Sequence, residues 1–287
     1  MPTTVGFVGL GNMGSVLAAN LVASGLDVVT HDLAGADRNP DGATFVDSIA
    51  ELATRAPVVV LSLPDGRASD AVARALIEAP DRSVAHVVDT STVGLEAAEA
   101  IAALFADSGI AYVDAPVSGG VAGARARTLA VMVAGPPTAC DAVEAVLAAL
   151  SDRRYRVGDR PGMGQALKLA NNFLSATALA ATSEAVAFAT SVGLDLATML
   201  EVLNTSSGQS VASSDKFVNH VLTGSYSSGF ANTLMAKDLQ LYLEAVAARR
   251  APAAIGAVTG DIWQRFAAAQ PDVDFTRIYP FAAASAL

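Results

Sequence analysis

Along residues 1–160, short apolar runs rich in β-branched side chains alternate with Ala- and Leu-rich segments of helical spacing. The runs are Val5–Val8, Leu26–His31, Val58–Leu63, His86–Val88 and Ala111–Val113. This alternation predicts βαβ units around a parallel sheet. Leu129–Val133 and Arg154–Val157 predict two further strands that close the sheet edge in another direction. Past Gly158 the pattern changes. Between Met163 and Ala189 the only charged residues are Lys168 and Glu184, and no proline interrupts the run. That predicts one long buried helix, well beyond the ~10–14 residues of an ordinary one. Residues 192–287 keep a helical pattern, broken by Gly and Ser near 206–214 and 224–229. The expectation is an α/β domain over 1–161 and an all-helical domain over 162–287, which begins with a long interdomain helix at about 162–191.

Composition agrees with two domains. A chain of 287 residues can bury a large core without disulfides or metals. With 52% hydrophobic and 16% charged residues, disorder is not expected. A formal charge of −10 argues against nucleic acid as a partner, because phosphate backbones are held by clusters of Lys and Arg. It leaves room for a small anionic substrate, since a few cations in a cleft can dominate the local field. Cys140 is the sole cysteine, so no internal disulfide forms, and His31, His86 and His220 are not spaced as metal ligands. No metal is expected. Met1-Pro2-Thr3-Thr4 leads into a strand without a basic and then apolar leader, and the longest apolar stretches are broken by polar residues or Pro. No signal peptide and no membrane partner are expected, and the location expected by default is cytoplasmic.

Three motifs carry candidate chemistry. Val5–Val8 runs into Gly9-Leu10-Gly11-Asn12-Met13-Gly14 and then a helix. This G-x-G-x-x-G stands between strand and helix, as a dinucleotide loop requires. Its first glycine allows a tight turn, its second lets the backbone approach a pyrophosphate, and its third lets helix and strand pack closely. The helix N-terminus offers amide groups and a positive dipole end to the phosphates. The first domain is therefore expected to be Rossmann-like. Asp32 follows 23 residues after Gly9, at the end of the second strand. Its carboxylate can accept from an adenosine ribose and would repel a 2′-phosphate, which favours NAD over NADP. Arg38, nearby in sequence, offers a phosphate partner and tempers that preference.

The second motif, Asp114-Ala115-Pro116-Val117-Ser118-Gly119-Gly120, follows a strand and can form an anion-binding nest, although alone it reads as a tight-turn loop. The third, Gly162-Met163-Gly164-Gln165-Ala166-Leu167-Lys168-Leu169-Ala170-Asn171-Asn172, opens the long helix. Lys168 stands among Ala and Leu, with Asn172 one turn on and on the same face. Desolvation lowers a lysine pKa toward neutrality, which suits proton transfer. Read alone, Lys168 fits a snorkelling lysine at a helix start better than a catalytic one.

Taken together, Gly9–Gly14, Asp114–Gly120 and Gly162–Asn172 resemble, in order and spacing, the β-hydroxyacid dehydrogenase family, its 3-hydroxyisobutyrate dehydrogenase branch most of all. Ser206-Ser207-Gly208 and the stretch from Gly229-Phe230 to Leu234-Met235-Ala236-Lys237-Asp238-Leu239 also resemble it. The resemblance runs from Gly6 to about Pro280. It implies a Rossmann-like domain, a long connecting helix and an all-helical second domain. It also implies Lys168 as catalytic acid/base, with Ser118, Gly119, Gly120 and Asn172 holding the substrate. Leu63, Pro64 and Thr92 would lie along the nicotinamide half of the cofactor, and Lys237 would close over cofactor and substrate. Neither residue four positions from Lys237, Thr233 or Leu241, pairs with it, so the sequence offers no local ion pair; Asp238 has no assigned role beyond bracing Lys237 or capping a charge network. Members that use NADP tend to carry Asn-Arg-Ser or Asn-Arg-Thr where this chain has His31-Asp32-Leu33, which supports NAD.

The implied activity is NAD-dependent oxidation of a small 3-hydroxy acid to its semialdehyde, in a homodimer or homotetramer. Two alternatives stand beside it. One is an NAD(P)H-dependent reductase of tartronate or succinate semialdehyde. The other is a catalytically silent dinucleotide-binding module, against which Lys168 and Asn172 both argue.

Overall fold

The computed structural model describes residues 4–285, and its contacts divide the chain into two compact units between Lys168 and Leu169. The division falls one turn and a half inside the long helix, whereas the sequence pattern puts the boundary at 161/162, where that helix starts.

The first unit runs β1 (Thr4–Val8), α1 (Gly14–Ala23), β2 (Asp27–His31), β3 (Thr44–Phe45), α2 (Ile49–Arg55), β4 (Val58–Leu61), α3 (Gly66–Glu78), β5 (His86–Asp89) and α4 (Leu95–Asp107). It continues with β6 (Ala111–Asp114), β7 (Val117–Ser118), α5 (Gly120–Arg125), β8 (Ala130–Ala134), α6 (Pro137–Ala142), α7 (Glu144–Leu150) and β9 (Arg153–Gly158). The nine strands form one sheet of order β3-β2-β1-β4-β5-β6-β8-β7, with β9 beside β8. Strands β1 to β6 are parallel, β8 runs antiparallel to β6 and β7, and β9 is parallel to β8. The order 3-2-1-4-5-6 is that of a doubly wound Rossmann-like domain, in which the chain reverses its direction of winding between β1 and β4.

Alternation along the strands explains the layers. In β4, Val58 and Val60 face one core with Leu17 and Leu21 of α1 and Val146 and Leu147 of α7. Val59 and Leu61 face the other, with Leu52 of α2, Leu76 of α3 and Phe105 of α4. Both faces are covered, so the strands read as continuous apolar runs.

The helix α8 (Met163–Ser191) then links the domains. The second unit continues with α9 (Leu196–Leu203), a π-helical segment Ala212–Val221, α10 (Asn232–Ala248), α11 (Ala254–Ala269) and α12 (Ile278–Ser285). Trp263, Phe217, Phe266 and Phe275 are buried together with Leu179 and Val186 of α8. The Trp263 indole donates to the Ala176 carbonyl at 3.2 Å, so its one polar atom is satisfied in the core. Truncating an aromatic here would cost about 3–5 kcal/mol.

Candidate active site

The loop after β1 separates two kinds of glycine. Gly9 has φ of +100°, and a Cβ on it would stand 2.3 Å from the Ser62 carbonyl oxygen. A Cβ on Gly14 would stand 1.9 Å from the Gly9 carbonyl oxygen. Both positions are closed to any side chain. At Gly11 a Cβ would meet nothing within 4 Å, so this glycine leaves open space above the loop. An open face at a helix N-terminus is where phosphates bind, although the Ser15 and Val16 amides of α1 already donate to the Gly11 and Met13 carbonyls. Asp32 lies just past β2, and its Oδ2 accepts from the Leu10 amide at 2.5 Å while Oδ1 accepts from the Ala34 amide at 2.7 Å. The carboxylate is thus fixed beside the loop. Arg38 donates to the Asn12 side-chain oxygen at 3.0 Å, which brings a cation to the same loop. Gly9, Leu10, Gly11, Asn12, Met13, Gly14 and Asp32 together fit the adenosine and pyrophosphate of a dinucleotide.

The loops after β4 and β5 are tied to each other. The Leu63 amide donates to Ser91 Oγ at 2.8 Å, and the Ser91 amide donates to Asp89 Oδ1 at 2.9 Å. Pro64 is exposed and Thr92 half-buried, so both present surface beside this tie. Ser118 departs from the expectation of a plain loop. It belongs to the two-residue strand β7, paired with Ala130 of β8. Gly119 and Gly120 follow with φ of +133° and +65°, both exposed, which matches the expected turn.

Lys168 stands in the second turn of α8 and is 8% exposed. Helix α8 begins under a carboxylate: Asp114 at the end of β6 accepts from the Gly162 amide at 3.0 Å and from the Gln165 amide at 2.9 Å. Burial nevertheless pushes the Asp114 carboxyl up to about 7, against the lowering effect of those hydrogen bonds, with the Asp89 charge adding a smaller upward push. Burial also raises Asp89, and it raises Tyr112, whose hydroxyl donates to Asp89 Oδ2 at 3.3 Å, well above the ordinary tyrosine range. The Gln165 side chain reaches back to the β5 loop, where its Oε1 accepts from the Val93 and Gly94 amides and its Nε2 donates to the Ser91 carbonyl.

In the second unit the structure joins two expected residues through a third. Asn172 Nδ2 donates to Asp238 Oδ2 at 2.6 Å, and Lys237 Nζ lies 3.2 Å from Asp238 Oδ1. Lys237 therefore has an ion pair with its neighbour in sequence. The reading that no local ion pair explains it was incomplete, because it considered only residues one turn away. Asp238 is 3% exposed and orients both partners. Lys237 also lines a cavity of about 340 Å³ with Thr233, Gln240 and Gln264.

Asp238, Asp114, Ser91 and Gln165 were not singled out from sequence as site residues. The one available signal was polarity: Gln165 is uncharged but polar on a helix stretch otherwise apolar, and Asp238 follows Lys237 directly.

Comparison with known proteins follows this geometry. Residues 4–158 match the family model described as the NAD binding domain of 6-phosphogluconate dehydrogenase. Residues 162–282 match that described as the NAD-binding domain of NADP-dependent 3-hydroxyisobutyrate dehydrogenase. The chain is 34% identical to 3-hydroxyisobutyrate dehydrogenase of Pseudomonas aeruginosa, over 96% of this chain and 97% of that one. It is 33% identical to 2-(hydroxymethyl)glutarate dehydrogenase of Eubacterium barkeri, over 91% and 88%. The solved structure of Mycobacterium tuberculosis 3-hydroxyisobutyrate dehydrogenase with L-serine superposes with a TM-score of 0.89 at 32% identity, covering 98% of this chain and 99% of that one.

Proposed function

This chain belongs to the β-hydroxyacid dehydrogenase family, an oxidoreductase acting on the CH–OH group of hydroxy acids with a nicotinamide dinucleotide; from that premise we propose that it oxidises a small 3-hydroxy acid of the 3-hydroxyisobutyrate type to the semialdehyde, with NAD as cofactor and Lys168 as general acid/base. The observation that carries this reading is the single ammonium group of Lys168, 8% exposed, on the helix whose start is tied to the strand ends β5 and β6. Bound nicotinamide supplies the hydride acceptor.

The chain's own residues do the rest. Ser118 and the Gly119–Gly120 turn hold the substrate carboxylate, and Asn172 helps to orient it. Lys168 Nζ takes the hydroxyl proton as the C–H bond breaks, and in the reverse direction returns it to the developing alkoxide. Acid/base assistance of this kind contributes on the order of 10²–10⁴-fold. Lys237, held by Asp238, supplies a second cation for a bound anion. Asp32 supports NAD, because a carboxylate fixed by two amides repels a 2′-phosphate. Arg38 on Asn12 limits the size of that preference.

The experiment is a screen of the purified chain against 3-hydroxyisobutyrate, L-serine and other 3-hydroxy acids, each with NAD⁺ and with NADP⁺, read as absorbance of the reduced cofactor. The expected result is turnover of at least one 3-hydroxy acid, faster with NAD⁺. Dinucleotide binding without turnover of any of them would contradict the reading and favour a silent binding module.

A further inference from the structure

Gln165 is the third residue of α8, is fully buried, and has every polar atom of its side chain in use. Its Oε1 accepts from the Val93 amide at 3.0 Å and the Gly94 amide at 3.2 Å, and its Nε2 donates to the Ser91 carbonyl at 3.0 Å. Its backbone amide donates to Asp114. Ser91 in turn accepts from Leu63 and donates to Asp89. One helical turn is thereby laced to the ends of β4, β5 and β6.

The two ties do different things. Asp114 caps the helix and fixes where it begins, as any N-cap carboxylate can. The Gln165 side chain reaches out from the helix axis to three fixed backbone groups, and that constrains rotation about the axis. Lys168 is three residues on, so it shares a face with Gln165 and moves with it. A rotation of about 10° would carry a lysine ammonium group by roughly 1 Å. Misplacement by that distance costs on the order of 10²-fold in rate.

We propose that Gln165 is a positioning residue that sets Lys168 against the Ser91–Gly94 loop, beside which the resemblance would put the nicotinamide. The proposal rests on the acid/base reading of Lys168. A purely structural role would lower activity through folding or cofactor affinity. A positioning role lowers turnover only while Lys168 is present.

The test is a double-mutant cycle in the full chain, using NAD⁺ and the 3-hydroxy acid turned over best in the screen. Gln165→Glu keeps the acceptor for Val93 and Gly94 and, when ionised, loses the donor to Ser91. Gln165→Asn keeps the amide but is one methylene short. Each is expected to lower kcat about 10- to 100-fold, with the Kd for NADH, from fluorescence titration, within about threefold of wild type. In the Lys168→Ala background the same changes should alter the residual rate less than about threefold, because residues acting as a unit are non-additive. An equal loss in both backgrounds, or wild-type kcat in both Gln165 variants, overturns the proposal. So does loss of cooperative unfolding and NADH binding in both, which would make Gln165 a folding residue. Lys168→Ala turning over at the wild-type rate overturns the acid/base reading instead.

Discussion

Asp114 accepts two helix amides, yet burial holds its carboxyl at about 7. An unfolded aspartate ionises near 3.9, so the folded chain keeps a proton that the unfolded chain has lost. Stability therefore falls as pH rises from about 4 to 7, and the full cost is present above 7. Asp114→Asn removes this titration. Wild type should resist unfolding more strongly, relative to Asp114→Asn, at pH 5 than at pH 8, by an amount on the order of a few kcal/mol. Denaturant melts at the two pH values decide it, and a difference that stays constant refutes it. At Asp32 the expectation concerns specificity. Asp32→Ser should narrow the NAD/NADP ratio of kcat/KM by removing a fixed negative charge, and a wild-type chain that already prefers NADP would refute the assignment. Residues differ in how far sequence reveals them. Gly9, Gly14 and Asp32 stand at motif spacing. Asp114 and Gln165 lie inside recognisable motifs, but with Ser91 they are separated by dozens of positions and meet only in the fold, so no local pattern announces the network they form.

The elements were legible where periodicity had room to show. The main strands fall close to the apolar runs, and α8 spans Met163–Ser191 against an expected 162–191. Strands β3 and β7 have two residues each, too few for alternation to register, so Ser118 read as loop. The break expected near 206–214 overlaps the start of a π-helical segment, Ala212–Val221, whose wider turn leaves no mark on a helical pattern. Helix α8 is apolar and long enough by composition to cross a bilayer. Leu169, Ala176, Leu179 and Val186 are buried within the protein, whereas Leu174 and Phe188 are exposed, so the helix is buried only in part and not along its length as its apolar pattern predicts. Its first turn lies against the sheet because residue 164 is glycine. A Cβ there would stand 2.5 Å from the Met132 carbonyl oxygen and 2.6 Å from Asp114 Oδ2. Gly164→Ala should lift this turn, lower stability by about 1–3 kcal/mol as overpacking does, and reduce kcat with it. Wild-type melting and kinetics in that variant would show that the close approach is dispensable.

At the scale of the molecule, sequence pattern and fold agree on a Rossmann-like domain, a linking helix and a helical domain. The dinucleotide loop lies where the sheet order reverses, the place such folds use for ligands. The second domain was harder to read. The bracing of Lys237 by Asp238 was legible from their adjacency, but the Asn172–Asp238 bond joins α8 to α10 across 66 positions and left no local signal. The account depends most on the lysine of the linking helix. The direct measurement is the steady-state kcat of Lys168→Ala with NAD⁺ and a 3-hydroxy acid, beside the Kd for NADH of the same variant. The account predicts a kcat lower by about 10²-fold or more, with NADH affinity nearly unchanged. A kcat near wild type, with the variant folded and binding NADH, would contradict it and remove Lys168 from the chemistry.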